Sequence, residues 1–118
     1  MSTTTTTPAC LTRNPIYINT PGLVHYWPFC DLSKDIVGNA DLYGGVNASL
    51  TFDRFNNPNS ALSLKNGFLM APPGIYFNGS DFSITAWVKV RVFNSWSRLI
   101  DFGLLFFINY FQILISFI

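Results

Sequence analysis

From Phe82 to Val90 the chain sets Phe82, Ile84, Ala86, Val88 and Val90 in alternation with Ser83, Thr85, Trp87 and Lys89. A period of two is the signature of a pleated strand, whose successive side chains point to opposite faces; wound into a helix, the same pattern would scatter its apolar residues around the axis. The stretch predicts a strand with one face on a core, so the rest of the chain must supply its neighbours. Trp96 to Phe102 alternates in a similar way, and Val92 to Ser95 between them is short enough for an antiparallel hairpin.

The other apolar runs are also short. Leu23, Trp27 and Phe29 fall on one side of an extended segment with His25 between them, while Val24 and Tyr26 point the other way. Ala48 to Phe52 and Ala61 to Leu64 predict further strands. Asn66-Gly67 predicts a tight hairpin turn into Phe68, Leu69 and Met70, which Pro72-Pro73 then ends. Between these runs lie two turn-rich stretches. Asp31 to Gly45 reads as a long ordered loop anchored by Ile36, Val37, Leu42 and Tyr43, and Asp53 to Asn59 as a shorter one. Nothing in the body has a helical period and no internal repeat is present. The body is therefore expected to be all-β, with five or six short strands.

The order of these segments points to a family. Gly22-Leu23-Val24-His25-Tyr26-Trp27-Pro28-Phe29 resembles the opening strand of laminin-G-like jelly-roll domains, and Asp35-Ile36-Val37-Gly38-Asn39 the loop after it. Asp53-Arg54-Phe55 with Pro58 to Leu64 is similar to the next run. Asp81-Phe82-Ser83-Ile84-Thr85-Ala86-Trp87-Val88, followed by Ser95 to Gly103, resembles a later pair of strands. Lys65 stands near a place where many members carry Asp. The resemblance covers Pro21 to Gly103 and implies an antiparallel β-sandwich of the concanavalin A-like jelly-roll type. Similar domains continue for a further set of strands, so the resemblance implies an incomplete sandwich with unpaired edges that is unstable alone.

The two ends read differently from the body. Residues 1–20 open with Met1, Ser2 and five Thr before Pro8, without the apolar core of a signal peptide, and read as a Thr-rich stalk whose true start lies upstream. Residues 104–118 are almost wholly Phe, Ile and Leu, carry no charge, and hold much of the excess that brings the chain to twelve Phe. Three readings fit this apolar tail, which is expected to lie outside the fold: a membrane anchor, a folded element, or translated A/T-rich non-coding sequence. A span needs about 20 apolar residues, and a strand pair needs a turn that is not written here. The third reading is therefore favoured, and a membrane is a partner only if the tail is genuine.

Charge and residue types narrow the function. The formal net charge is +1 and the seven basic residues form no stripe, which argues against nucleic acid as a partner. All six acidic residues are Asp, so the chain lacks the Glu pair with which glucanases of the concanavalin A-like fold cleave sugars, and no strand sets two Asp on one face. No catalytic residue is assigned, and the lone His25 reads as a hydrogen-bonded core or rim histidine. Asp31, Asp35, Asn39 and Asp41 offer oxygen ligands for Ca2+ in the long loop, but Asx turns and solvated charges account for them equally well. Tyr26, Trp87 and Trp96 are candidates for sugar stacking, set against the commoner fate of an aromatic in a core. Asn47-Ala48-Ser49 and Asn78-Gly79-Ser80 are glycan acceptor sequences in expected loops. The spacing of Cys10 and Cys30 fits either one bridge between them or two free or differently paired thiols.

The expected function is a non-catalytic recognition module, extracellular or at the cell surface as part of a longer product, that binds carbohydrate or protein through rim loops without an organic cofactor. The alternatives are an accessory or inactive fragment of a glycan-processing enzyme and a membrane-anchored surface protein.

Overall fold

The computed structural model describes residues 20–74, 76, 81–93, 95, 98–101, 104–105, 108–109 and 111–113. Among these residues there is no helix, and the architecture is all-β. The strands are β1 (Tyr43–Thr51), β2 (Ala61–Ala71), β3 (Leu104–Leu105), β4 (Ile108–Asn109) and β5 (Phe111–Ile113). They form a three-stranded sheet in the order β1-β2-β5 and a separate antiparallel pair, β3-β4. The chain divides into two compact units. Described residues up to Asp41, with Ser49–Ser63, make one; Leu42–Ala48, with the described residues from Leu64 onward, make the other.

β1 and β2 are joined through residues 52–60, which Asp53 organises. Its Oδ1 accepts the backbone N–H groups of Phe55 and Asn57, both at 2.9 Å, and its Oδ2 accepts the Asn57 side-chain amide at 2.9 Å. Asn56 and Asn59 take positive φ, at 64° and 51°, as a short polar side chain tolerates. The Ser60 N–H then donates to the Thr51 carbonyl at 2.9 Å and starts the return of the chain. This is the second turn-rich stretch of the sequence.

β2 does not turn at Asn66-Gly67. The hairpin turn expected there needs positive φ at both central residues; Asn66 has φ 49°, whereas the glycines of positive φ are Gly22 and Gly44. The pair acts instead as an irregularity inside one long strand. Leu64 is buried, Lys65 and Asn66 are exposed, and Gly67, Leu69 and Ala71 are buried, so the inward-facing positions change from even to odd across Asn66. One added residue in a strand shifts every later side chain by one face, and the left-handed Asn66 absorbs that shift. Gly67 is required at its place because a Cβ there would press on the backbone carbonyls of Val46 and Asn47. Fully burying Leu64 or Leu69 contributes about 1.5–3 kcal/mol each.

Two expected strands are absent. Residues 81–90 form no strand and are exposed throughout, with Phe82 at 60% and Trp87 at 79% of full exposure. Alternation equips a segment for a sheet, but a strand exists only where neighbouring backbone accepts its ladder, and neither described sheet includes this segment. Residues 23–29 form no strand either. Tyr26 is held by the following loop, its carbonyl accepting the Ile36 N–H at 3.0 Å, and Phe29 at φ 55° ends the extended path. Of the alternating stretch at 96–102, Trp96, Ser97 and Phe102 lie outside the described residues, and Arg98 pairs with Asp101.

One described piece of the apolar tail, residues 111–113, pairs with the body. β5 lies against β2 in antiparallel register, with Leu69 opposite Ile113, Met70 opposite Gln112 and Ala71 opposite Phe111. No turn residue is needed for this, because an extended segment added to an open strand edge needs only its backbone donors and acceptors. The stalk at residues 1–19 and the end of the tail at 114–118 lie outside the described residues.

Candidate functional site

The long loop after residue 30 is built around one buried carboxylate. Asp35 is 1% exposed, and its Oδ1 accepts the backbone N–H groups of Tyr26 at 3.0 Å, Val37 at 3.0 Å and Gly38 at 2.9 Å. Its Oδ2 accepts the Ala40 N–H at 2.9 Å and His25 Nδ1 at 2.7 Å. An ionised carboxylate offers about four lone-pair positions, and these five donors saturate it. Because the carboxylate has only acceptors to offer, Nδ1 of His25 carries the hydrogen. Burial pushes the Asp35 carboxyl up, but the backbone N–H groups of Gly38, Tyr26 and Ala40 and the His25 ring outweigh it and hold the group well below the ordinary carboxylate range.

Further contacts close the circuit. The His25 ring stacks on Trp27 with centroids 5.4 Å apart and planes 10° from parallel, and Trp27 Nε1 donates to the Ala40 carbonyl at 2.9 Å. The backbone N–H of Asp35 donates to Asp41 Oδ1 at 3.0 Å, and Asp41 Oδ2 lies 3.6 Å from Lys34 Nζ. Gly38 passes so close to the Val24 carbonyl and the His25 ring that a Cβ would collide with both. The result is a loop fixed from below by a charge and presenting Asp31, Lys34, Asn39 and Asp41 to solvent.

The four oxygen-bearing candidates therefore have different roles. Asp35 is the internal hub, and to coordinate a cation it would have to give up hydrogen bonds to backbone groups. Asp31 makes a local turn, its Oδ1 accepting the Ser33 N–H at 3.1 Å and the Ser33 hydroxyl at 3.2 Å. Asn39 sits at φ 58° at the exposed corner of the loop. Among the described residues no three His, Cys, Asp or Glu side chains gather as a metal cage.

Cys30, at the base of this loop, is disulfide-bonded; Cys10 lies outside the described residues. Asn47 is on β1 and not in a loop, because pairing with β2 draws even the Gly-rich start of that segment into the sheet; Asn78 lies outside the described residues. Of the aromatic candidates Tyr26 is half-buried beside the hub, Trp87 is exposed, and Trp96 is outside the described residues. Sequence reasoning missed the pairing of His25 with Asp35 and of Trp27 with Ala40. No spacing motif encodes either, and the weak signal available was that Asp35 and Gly38 share one short turn.

No helix among the described residues is long and apolar enough to cross a membrane. No protein-family model, curated protein or solved structure matches the chain.

Proposed function

We propose that the chain is part of a non-catalytic extracellular recognition module, of the laminin-G-like jelly-roll type that its motifs resemble, and that it binds carbohydrate or protein through residues 31–41. The observation that carries this reading is the rigid loop itself. A saturated buried carboxylate fixes the backbone, and the exposed Asp31, Lys34, Asn39 and Asp41 then offer donors and acceptors in a preset arrangement. Preset polar groups lose little conformational entropy on binding, which favours recognition of hydroxyl-rich or polar partners. The disulfide at Cys30 supports an oxidising compartment.

The test is binding of the full chain to a glycan array and to extracellular-matrix proteins, with Asn39→Gly and Lys34→Met as variants. Asn39→Gly preserves the positive φ, and Lys34→Met preserves most of the side-chain volume, so both should fold. The expected result is at least tenfold weaker binding with an unchanged melting curve. Binding that survives both substitutions removes the loop as the recognition surface.

A further inference from the structure

Asn47 opens Asn47-Ala48-Ser49, the pattern at which asparagine amides accept N-linked glycans. The structure sets this residue in an unusual place: exposed on β1, at φ 47°, in a strand that, among the described residues, ends the order β1-β2-β5. Tyr43 and Val46 on the same strand are large apolar side chains open to solvent. An end strand bearing exposed apolar side chains is a template for pairing with another chain, and natural sheets guard such edges with charge, bulges or cover. β1 carries no charged residue from Tyr43 to Thr51.

We infer that Asn47 is a glycosylation site and that its glycan shields the β1 edge from pairing with a second copy of the chain. The inference rests on the export reading above, which the disulfide at Cys30 supports, since disulfide formation and N-glycosylation both belong to the secretory route. The donor is a lipid-pyrophosphate-linked oligosaccharide. Asn47 Nδ2 forms a bond to C1 of the first sugar and loses one proton; the bond from C1 to the pyrophosphate oxygen breaks, and the lipid pyrophosphate leaves with the electron pair. The amide starts with two N–H groups and keeps one. The hydrogen bond from Nδ2 to the Asn66 carbonyl, 3.3 Å in the unmodified chain, therefore has a donor afterwards and anchors the base of the glycan to β2.

The full chain is translated behind a cleavable secretory leader, in eukaryotic cells and in a cell-free system with microsomes, where modification of the nascent chain does not depend on folding. Peptide mass mapping is expected to find a glycan on Asn47 that peptide N-glycosidase removes. It should be absent in Asn47→Gln and Ser49→Ala and present in Ser49→Thr. Secreted protein should elute from a sizing column as a monomer, and both the enzymatically stripped protein and Asn47→Gln should form dimers or larger species as concentration rises. An unmodified Asn47 in microsomes and in secreted protein overturns the site. A glycosylated chain that stays monomeric after stripping overturns the shielding role. The leader supplies entry to the secretory route, so either failure is separate from a failure of the export reading, which is tested by locating the native protein in its own cells.

Discussion

His25 Nδ1 donates to Asp35 Oδ2 at 2.7 Å, and this contact ties residues 23–29 to the loop that follows through a carboxylate that solvent does not reach. The ring in turn stacks on Trp27, whose own N–H is committed to the Ala40 carbonyl, and the Ala40 N–H returns to the same Asp35 oxygen. Each member of this circuit is satisfied by another, which is the condition under which a buried polar network stiffens a fold instead of weakening it.

Replacing Asp35 by Asn keeps the shape of the hub but turns one oxygen into a donor facing donors. Removing a buried charged acceptor of this kind is expected to cost about 3 kcal/mol or more at neutral pH. The pH dependence has a definite sign. The folded chain holds this carboxyl below its ordinary value of 3.8, so as pH falls the unfolded chain takes up the proton first. The contribution of Asp35 to stability is complete above about pH 5 and drains away below about pH 4. Urea unfolding followed by tryptophan fluorescence at stepped pH should show a steep acid limb in the native chain and a shallower one in Asp35→Asn. Parallel limbs would assign the acid sensitivity to other carboxylates.

Gly38→Ala tests the same hub by crowding instead of by charge. The added methyl meets the Val24 carbonyl and the His25 ring, and the carbonyl belongs to backbone that cannot rotate away. We expect a loss of about 2 kcal/mol or more, in the range of overpacked sites, together with loss of amide-exchange protection at Tyr26 and Ala40. Gly22→Ala is the control: nothing lies near its Cβ, although its φ of 80° adds backbone strain. Protection at Tyr26 and Ala40 should survive there.

These residues show what could be read in advance. The all-β character was legible because short apolar runs and turn clusters are local properties, and Asp53 to Asn59 was legible as a turn for the same reason. The hub was not, because the donors that meet at Asp35 come from residues 25 to 40 and only the folded path brings them together. Asn66-Gly67 misled because the sequence of a hairpin turn is also the sequence of a bulge, and the choice depends on the partner strand. The segment at 82–90 misled for a deeper reason: alternation records that a segment is suited to a sheet, whereas strand formation depends on residues elsewhere that complete the ladder.

The disulfide at Cys30 anchors the start of the loop. A disulfide typically contributes about 2–4 kcal/mol, chiefly by constraining the unfolded chain. Reduction, or Cys30→Ser, should therefore lower the urea midpoint by the same amount in the native chain and in Asn39→Gly, because neither treatment touches the Asp35 hydrogen bonds. A midpoint that does not move on reduction would show that the bridge does not constrain the unfolded chain.

Trp87 separates the observed conformation from the one its pattern prepares. Trp87 is 79% exposed and Phe93 84%, and acrylamide should quench the emission of Trp87 far more efficiently than that of the half-buried Trp27. Trp87→Phe should remove the strongly quenched, red-shifted component of the emission. If the component lost is instead blue-shifted and protected, residues 82–90 are covered by an apolar surface in solution. In that case a partner strand has claimed the alternating face, and Phe82, Ile84 and Val88 should resist hydrogen exchange along with it. The two outcomes differ in sign for both quenching and exchange, so one variant and two measurements decide between an open aromatic surface and a strand that has found its neighbour.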